Sequence, residues 1–528
     1  MRAKQHVIAD SDHVRDLVVV GAGITGAGVA RDAAMRGLDT LLIDASDLAY
    51  GTSSRSSRLI HGGVRYLEQG EIGLVFEALR ERARLYSLAP HLVRRATFVF
   101  PSFAEDRLQP WKLSLGLSIY DLLGLYKSSR HRRLSPRRAR ELEPLLRSEG
   151  LRGAVAYQDA ITDDARLTLA TIQSARANGA DVLTYEPVES LAKVDGIHVV
   201  TLRDGTTIQS RAVVLATGPW TGSRLLGSAG DGLLTLSKGV HLVVPALSVP
   251  VVAPVVIQVP GQRRILFAIP WGARTYLGTT DSAYEGDPGE AGVTRADEED
   301  VLALVRRVLP STVQPSQVLS AWSGVRPLVT GRRRGNTVEL ARTHRIVENE
   351  DGVLAIVGGK LTTYRAMAEE AVDRVVGLLA RRGVESVALA RRCTTHQIPL
   401  ISSDATLHPN ADTEIGRALA LRHGASASIM LRAIEDAPAL AEKLVDDLPY
   451  RWVEVQHALE FEGVHHLDDL LRRRIPLALT DPRLGGGVMH QVARMLIDAR
   501  GGSQRDIDEE VERYCVLTET ETRRRPRL

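Results

Sequence analysis

From Asp16 the chain reads DLVVVGAGITGAGVARDAAMRGLDTLLIDASD, and this stretch constrains the fold more than any other. An apolar strand, a glycine turn, an alanine-rich helix and a second apolar strand ending at Asp44 make a βαβ unit. Gly21, Gly23 and Gly26 fit G-x-G-x-x-G. The first glycine closes the tight turn, the second lets a pyrophosphate approach the backbone where Ile24 and Thr25 open the helix, and the third lets helix and strand pack closely. Asp44 follows at the distance where a carboxylate accepts hydrogen bonds from an adenosine ribose and repels a 2′-phosphate. The unit predicts an α/β, Rossmann-type dinucleotide domain, with FAD or NAD both open at this point.

Three later stretches use the same grammar of strands, hydroxyls and glycines. In GTSSRSSRLIHGGVRYLEQG, residues 51–70, the hydroxyls of Thr52, Ser53, Ser54 and Ser57 suit a loop around a phosphate or a ribityl chain, and Gly62 and Gly63 let backbone approach a flat ring. RAVVLATGPW, residues 211–220, is a strand running into Gly218. In GVLAIVGGKLTTYRAMAEEAVDRVV, residues 352–376, a strand meets Gly358 and Gly359, then Lys360 and Leu361, then a helix with Thr362 or Thr363 as N-cap. A helix N-terminus there can stabilise the negative charge a reduced flavin develops. The spread of these elements predicts a discontinuous FAD-binding domain (16–75, 150–225 and 345–390). The alternating segment RRILFAIPWGARTYLGTTD, residues 263–281, predicts an inserted antiparallel-sheet substrate or cap domain (76–149 and 226–344). Helical runs beyond about residue 400 predict an α-helical C-terminal domain (395–520).

Composition excludes several classes. A chain of 528 residues, 44% apolar and 25% charged, is globular and several domains long. A net charge of +3 and only 4% aromatics give no support to nucleic-acid binding. Cys393 and Cys515 are too few for a disulfide framework or a thiolate-built zinc or iron–sulfur site, so no metal is expected and both thiols read as reduced in a cytoplasmic protein. The N-terminal residues lack the apolar core of a signal peptide. The uncharged stretch Leu242 to Gln262 carries four prolines and reads as short strands rather than a membrane helix. One segment does suit a membrane surface. WKLSLGLSIYDLLGLY is followed, up to Arg140, by Lys127, Arg130, Arg132, Arg133, Arg137, Arg138 and Arg140 without an acid. This is the pattern of a monotopic interfacial segment on an anionic leaflet, each cation contributing about 1 kcal/mol; a core helix with a solvated basic loop stays open.

The motifs together resemble the FAD-dependent glycerol-3-phosphate dehydrogenases, within the D-amino-acid-oxidase-like flavoproteins. The resemblance rests on GAGITGAG (21–28), TSSRSSRLIHGGVRYLE (52–68), TDDARL (162–167), KGVHLVVP (238–245), FAIPWGARTYLGTTD (267–281), SGVRPL (323–328) and GGKLTTYR (358–365), in family order. It implies oxidation of sn-glycerol 3-phosphate to dihydroxyacetone phosphate, with hydride transfer to FAD and electrons passed to membrane quinone, by a peripheral protein on the inner face of the cytoplasmic membrane. It implies Arg65, Tyr66, Arg326, Arg342 and Lys360 around the substrate, although GRRRG (331–335) beside Arg342 departs from the family's acidic stretch. Asp44 stands where a glutamate is common, and Arg58 where a lysine is common. Guanidinium groups grip phosphate and are not ordinary bases, so Arg65, Arg326 and Lys360 are expected to bind and stabilise charge, with His61 or His241 as proton acceptor. A glycerol-3-phosphate oxidase making peroxide, or a non-catalytic flavoprotein docking a membrane or partner, are the alternatives. A homodimer is allowed and not fixed by the sequence.

Overall fold

The computed structural model of the chain describes residues 13–67, 70–124, 130–262, 264–310, 313–334, 337–341, 343–384, 390–401, 409–524 and 526–527. Two sheets and a helical region account for the described residues. The first sheet has the spatial order His344–Glu348, Leu354–Gly358, Thr207–Leu215, Val14–Val20, Thr40–Ile43 and Asp181–Leu183, with the hairpin Val188–Leu202 continuing from Thr207–Leu215. Val14–Val20 runs parallel to both neighbours, and Leu354–Gly358 runs parallel to Thr207–Leu215. Parallel strands are covered on both faces, which is why these strands are near-continuous Val, Leu and Ile.

The glycine turn behaves as its spacing predicts. A Cβ on Gly26 would lie 1.8 Å from the Gly21 carbonyl oxygen, so the helix Ile24–Met35 sits on the strand at a distance only glycine permits. Gly21 itself has φ +107°, and a Cβ there would meet the Ala216 carbonyl oxygen at 2.5 Å. The helix packs through Ala27, Ala30 and Ala33 with Ala368, Ala371 and Val372 of the helix Tyr364–Arg381 in one core. Thr363 is the N-cap residue of that second helix, but its side chain makes no capping bond; a short turn, Leu361–Thr363, enters instead.

The second sheet is mostly antiparallel and runs Thr337–Ala341, Ser320–Arg334, Leu234–Pro245, Arg274–Gly278, Ile265–Trp271, Val255–Gln258, Arg94–Phe103, Leu151–Ile161 and Leu59–Ile60. The proline-broken stretch from Leu242 forms strands, as its valines predict. Leu151–Ile161 falls in the range 150–225 expected with the cofactor unit, yet it pairs along most of its length with Arg94–Phe103 in this second sheet. Ten cross-strand pairs, long-range and invisible to local pattern, outweigh its proximity in sequence to the nucleotide elements.

Beyond residue 409 the described chain is helical, as expected, and has its own core around Val455, Leu467, Leu470, Val492 and Tyr514. Buried ion pairs join it to the first sheet's loops. Asp47, fully buried, receives Arg474 through Nη1 at 2.6 Å and Nη2 at 2.8 Å, and also receives Arg473 Nε. Arg166 Nη1 lies 2.5 Å from Glu462 Oε1. Removing one partner of such a pair strands a charge in low dielectric at a cost of about 3–5 kcal/mol. Asp47→Ala is therefore expected to lower the unfolding free energy by about 3–5 kcal/mol, read from denaturant-induced loss of far-UV dichroism; an unchanged midpoint contradicts that linkage.

Candidate active site

The parallel strands Val14–Val20, Thr207–Leu215 and Leu354–Gly358 all end at one cleft, to which Val20, Leu215 and Ile356 contribute. Ligands of open α/β sheets sit outside such carboxyl ends. The cleft has a volume of about 920 Å³ and continues onto the second sheet, where His241, Phe267 and Arg326 line it. Its volume leaves room for both a dinucleotide and a small substrate.

At the dinucleotide end, Gly21, Gly23, Ile24, Thr25 and Asp44 line the floor. Asp44 accepts the Ala22 N–H at 2.6 Å and the Ser46 N–H at 2.8 Å, which aims the carboxylate, while desolvation pushes its pKa up to about 6. A carboxylate held this way is suited to donors from ribose hydroxyls. The hydroxyl loop is tied to the turn because Ser53 Oγ accepts the Ile24 N–H at 2.9 Å. Thr52 Oγ1 donates to the Val325 carbonyl at 2.6 Å, pinning the loop to the second sheet. Thr52, Ser53, Ser57, Gly63, Gly218, Gly359, Lys360, Leu361 and Thr362 all line the cleft.

Three expected cofactor residues stand behind the wall rather than in it. Gly26 serves the helix–strand contact described above. Gly62 packs against Leu79 and Tyr120 and donates its N–H to the Tyr120 hydroxyl at 2.8 Å. Ser54 is buried with its hydroxyl turned to the Gly51 carbonyl at 3.5 Å. The TDDARL motif also has a supporting place: Asp164 accepts from Ser56 N–H and Oγ at 2.9 and 2.7 Å and pairs with Arg58 Nε at 3.2 Å. Arg58 is buried, pairs with Asp163 at 2.9 Å and lies over the Trp271 ring, so it braces the loop.

At the substrate end, Arg326 stands directly opposite Ser237 in the antiparallel register. Its Nη2 donates to Thr279 Oγ1 at 2.9 Å, and Asp281 lies 3.6 Å from Nη1. Gly239 makes the room: a Cβ there would sit 2.2 Å from Arg326 Nη2. Thr279, Asp281 and Gly239 position the guanidinium, and sequence reasoning assigned them no role. The glycine of KGVH was a usable signal, but the strand register that gives it meaning is long-range. Lys360 Nζ lies 3.5 Å above the centre of the buried Tyr66 ring, a cation–π contact that fixes the ammonium at the cleft wall. The backbone of Arg65 is in the short helix Val64–Leu67, but its side chain, like residue Arg342, lies outside the described residues.

The two histidines differ. His61 is half-buried in the cleft, its main chain clamped by Thr362 Oγ1, which accepts from His61 N–H at 3.1 Å and donates to its carbonyl at 3.2 Å. His241 is buried, stacks on Trp322 with ring centres 4.7 Å apart, and meets Ser57 Oγ at 3.0 Å. Desolvation first, then the neighbouring Arg326 and Arg58, lower its pKa to about 3.

A Rossmann-type turn with an aimed carboxylate, joined to a sheet that carries cations into the same cleft, defines an FAD-dependent oxidoreductase. Residues 16–398 match the family model described as FAD dependent oxidoreductase, and residues 393–506 match the C-terminal domain of alpha-glycerophosphate oxidase. The chain is 36% identical over 524 residues to a glycerol-3-phosphate dehydrogenase of Mycobacterium leprae, covering 96% of this chain and 88% of that one. An aerobic glycerol-3-phosphate dehydrogenase of Staphylococcus epidermidis is 34% identical over 87% of this chain and 86% of its own. The crystal structure of a glycerol-3-phosphate dehydrogenase from Bacillus halodurans complexed with FAD superposes with a TM-score of 0.76 at 28% identity, covering 98% of both chains. The chain belongs to the glycerol-3-phosphate dehydrogenase family, and its cofactor is FAD. The glycine cradle at Gly21 and the aimed Asp44 fit that cofactor.

The His241 environment gives a pH prediction. Its folded pKa of about 3 lies below the unfolded value of about 6.5, so the unfolded state binds the proton first and stability falls as pH drops below 6.5. Between pH 7 and 5 this amounts to about 2 kcal/mol. His241→Gln is expected to flatten that limb of unfolding free energy against pH; an unchanged slope rejects the assignment.

Proposed function

We propose that the protein oxidises sn-glycerol 3-phosphate to dihydroxyacetone phosphate and passes the electrons to a membrane quinone. The observation that carries the substrate reading is the pairing of Arg326 and Lys360 in one cleft with the FAD-type cradle. The guanidinium offers a planar grip on a phosphate dianion, and the lysine a compact charge for the developing alkoxide. The family resemblance adds Arg65 and Arg342 to the proposed phosphate site; Arg342 and the Arg65 side chain lie outside the described residues. Bound FAD supplies the acceptor for the hydride that leaves carbon 2. The hydroxyl proton leaves with it and needs a base. His241 is too weakly basic and holds Ser57 instead, so we assign proton acceptance to His61.

The acceptor reading rests on the cap end of the cleft. Leu108, Leu113, Leu115, Ile119, Ile265 and Phe267 line it there among Arg107, Lys112, Gln258 and Arg264, an apolar wall broken by polar groups that would suit the ring and carbonyls of a quinone. Trp111, Leu115, Ile119 and Leu122 of the helix Pro110–Leu123 are 57%, 61%, 42% and 57% exposed, and Ile72 and Phe76 are exposed too. Arg130, Arg132, Arg133, Arg137, Arg138 and Arg140 follow on exposed positions; Lys127 lies outside the described residues. No described helix is long and apolar enough to cross a membrane. An apolar stripe beside a basic run is the composition of a monotopic contact with the anionic inner leaflet.

Anaerobic addition of sn-glycerol 3-phosphate is expected to bleach the flavin, with fast recolouring by quinone and slow recolouring by air. Rapid recolouring by air with peroxide makes the protein an oxidase, and no bleaching overturns the substrate. Arg326→Ala is expected to lower kcat/KM by about 10²–10³ with FAD retained, since two charged hydrogen bonds contribute about 3–4 kcal/mol. In flotation with anionic vesicles, the wild-type chain is expected to co-float at low salt and Trp111→Ser/Leu115→Ser to lose that association. Absence of wild-type binding at any salt removes the membrane reading.

A further inference from the structure

We propose that Glu369, Cys393 and His396 form a binding site for a divalent cation of the zinc class, outside the lining of the flavin cleft. One ligand atom from each, a carboxylate oxygen, a thiol sulfur and an imidazole nitrogen, lie within 4.8 Å of one another, and all three residues are half-buried. Thiolate, imidazole and carboxylate are the donor types zinc takes in four-coordinate sites. A thiolate-only site was excluded by the two cysteines of the chain, but a mixed site needs only one.

The cluster has a buried carboxylate at its back. Asp32, on the helix Ile24–Met35, is 1% exposed and interacts with the Cys393 thiol. Neither Asp32 oxygen receives a hydrogen bond of good geometry among the described residues; Arg36 Nη2 lies 2.6 Å from Oδ2 as an ion pair. A carboxylate so deeply placed, already paired with Arg36 and facing the thiol, stands behind the three ligands as the acceptor that orients the cysteine. Cation binding exchanges the thiol proton for the metal: one S–H bond breaks, one sulfur–metal bond forms, and a proton is released to solvent.

Arg365, Arg36 and Arg31 border the cluster, and each is already engaged, Arg31 by the Ser174 hydroxyl and the Ile398 carbonyl. Arg365 Nη1 lies 2.7 Å from Glu369 Oε2 and 3.9 Å from Cys393 Sγ, but its far side is held by Glu81 at 2.7 and 2.9 Å. Arg36 reaches Asp373 at 2.6 Å. Among the described residues the His396 imidazole hydrogen-bonds with the neighbouring Gln397 amide at 2.9 Å, an exposed contact, so rotation toward the thiol breaks no buried bond.

The position suggests what the cation does. Residues 390–401 cross from the cofactor region toward the helical region and are strapped to helix Ile24–Met35 by Arg31 Nη2 to the Ile398 carbonyl at 2.6 Å. Glu369 sits on the helix Tyr364–Arg381, which starts beside the cleft. A cation here ties the strap to both helices, in the manner of a structural clip.

The test uses full-length FAD-loaded protein, equilibrated with zinc and then desalted. Metal analysis is expected to find zinc stoichiometric with the wild-type chain, with competition against a chromogenic chelator showing an affinity that falls by about 10–100-fold or more in both Cys393→Ser and His396→Ala. Zinc should raise the thermal midpoint of wild type and of neither variant. The flavin spectrum, unchanged in all three, reports folding. Background zinc in the wild type, or equal retention by wild type and His396→Ala, overturns the site.

Discussion

The close approach of the helix Ile24–Met35 to its strand is the constraint on which the rest of the molecule depends. With a Cβ at Gly26 only 1.8 Å from the Gly21 carbonyl oxygen, no other residue lets the helix start where it does. That start places the Ile24 N–H at the cleft floor, where Ser53 Oγ reads it, and so the hydroxyl loop acquires its position from the turn. The second helix, Tyr364–Arg381, then packs on the first through small side chains, which brings Lys360 to the same floor. A methyl group at one glycine would move every one of these groups.

Charge holds the other parts around that centre. Asp164 and Asp163 fix Arg58 and Ser56, Glu521 of the last helix reaches Arg55 at 2.5 Å, and Asp47 gathers Arg473 and Arg474. These pairs are buried, so each was desolvated at considerable cost and contributes specificity of arrangement rather than net attraction. The C-terminal helix is thereby fastened to the loop that lines the flavin cleft, and the helical region acts as a brace for the active site.

Sequence carried the local chemistry well. Glycine spacing, the acid at Asp44, the valine strands and the alternating segment near Phe267 each have a cause within a few residues, and the structure shows elements with the same causes. What it did not carry was register. Arg326 faces Ser237 and leans on Thr279 because strands more than forty residues apart align at that pair, and Gly239 matters only once that alignment exists. The same holds for Leu151–Ile161, whose partner strand lies about fifty residues upstream. Desolvation is likewise a tertiary property: a motif histidine reads as a base in sequence, while burial against Trp322 makes His241 a weak one.

The helix Pro110–Leu123 shows how one element can serve two environments. Leu113, Leu117 and Tyr120, spaced by four and three, turn into the core with Val75 and Leu79. Trp111, Leu115, Ile119 and Leu122, spaced by four, four and three, make the opposite stripe. Apolar residues thus occupy two faces of the helix, and the rest of the protein covers one of them. Leu115 and Ile119 also line the cleft, so the outer stripe runs on into the cleft wall. The exposed stripe and the cleft wall therefore share Leu115 and Ile119, and one helix carries both the core contact and the mouth of the cleft.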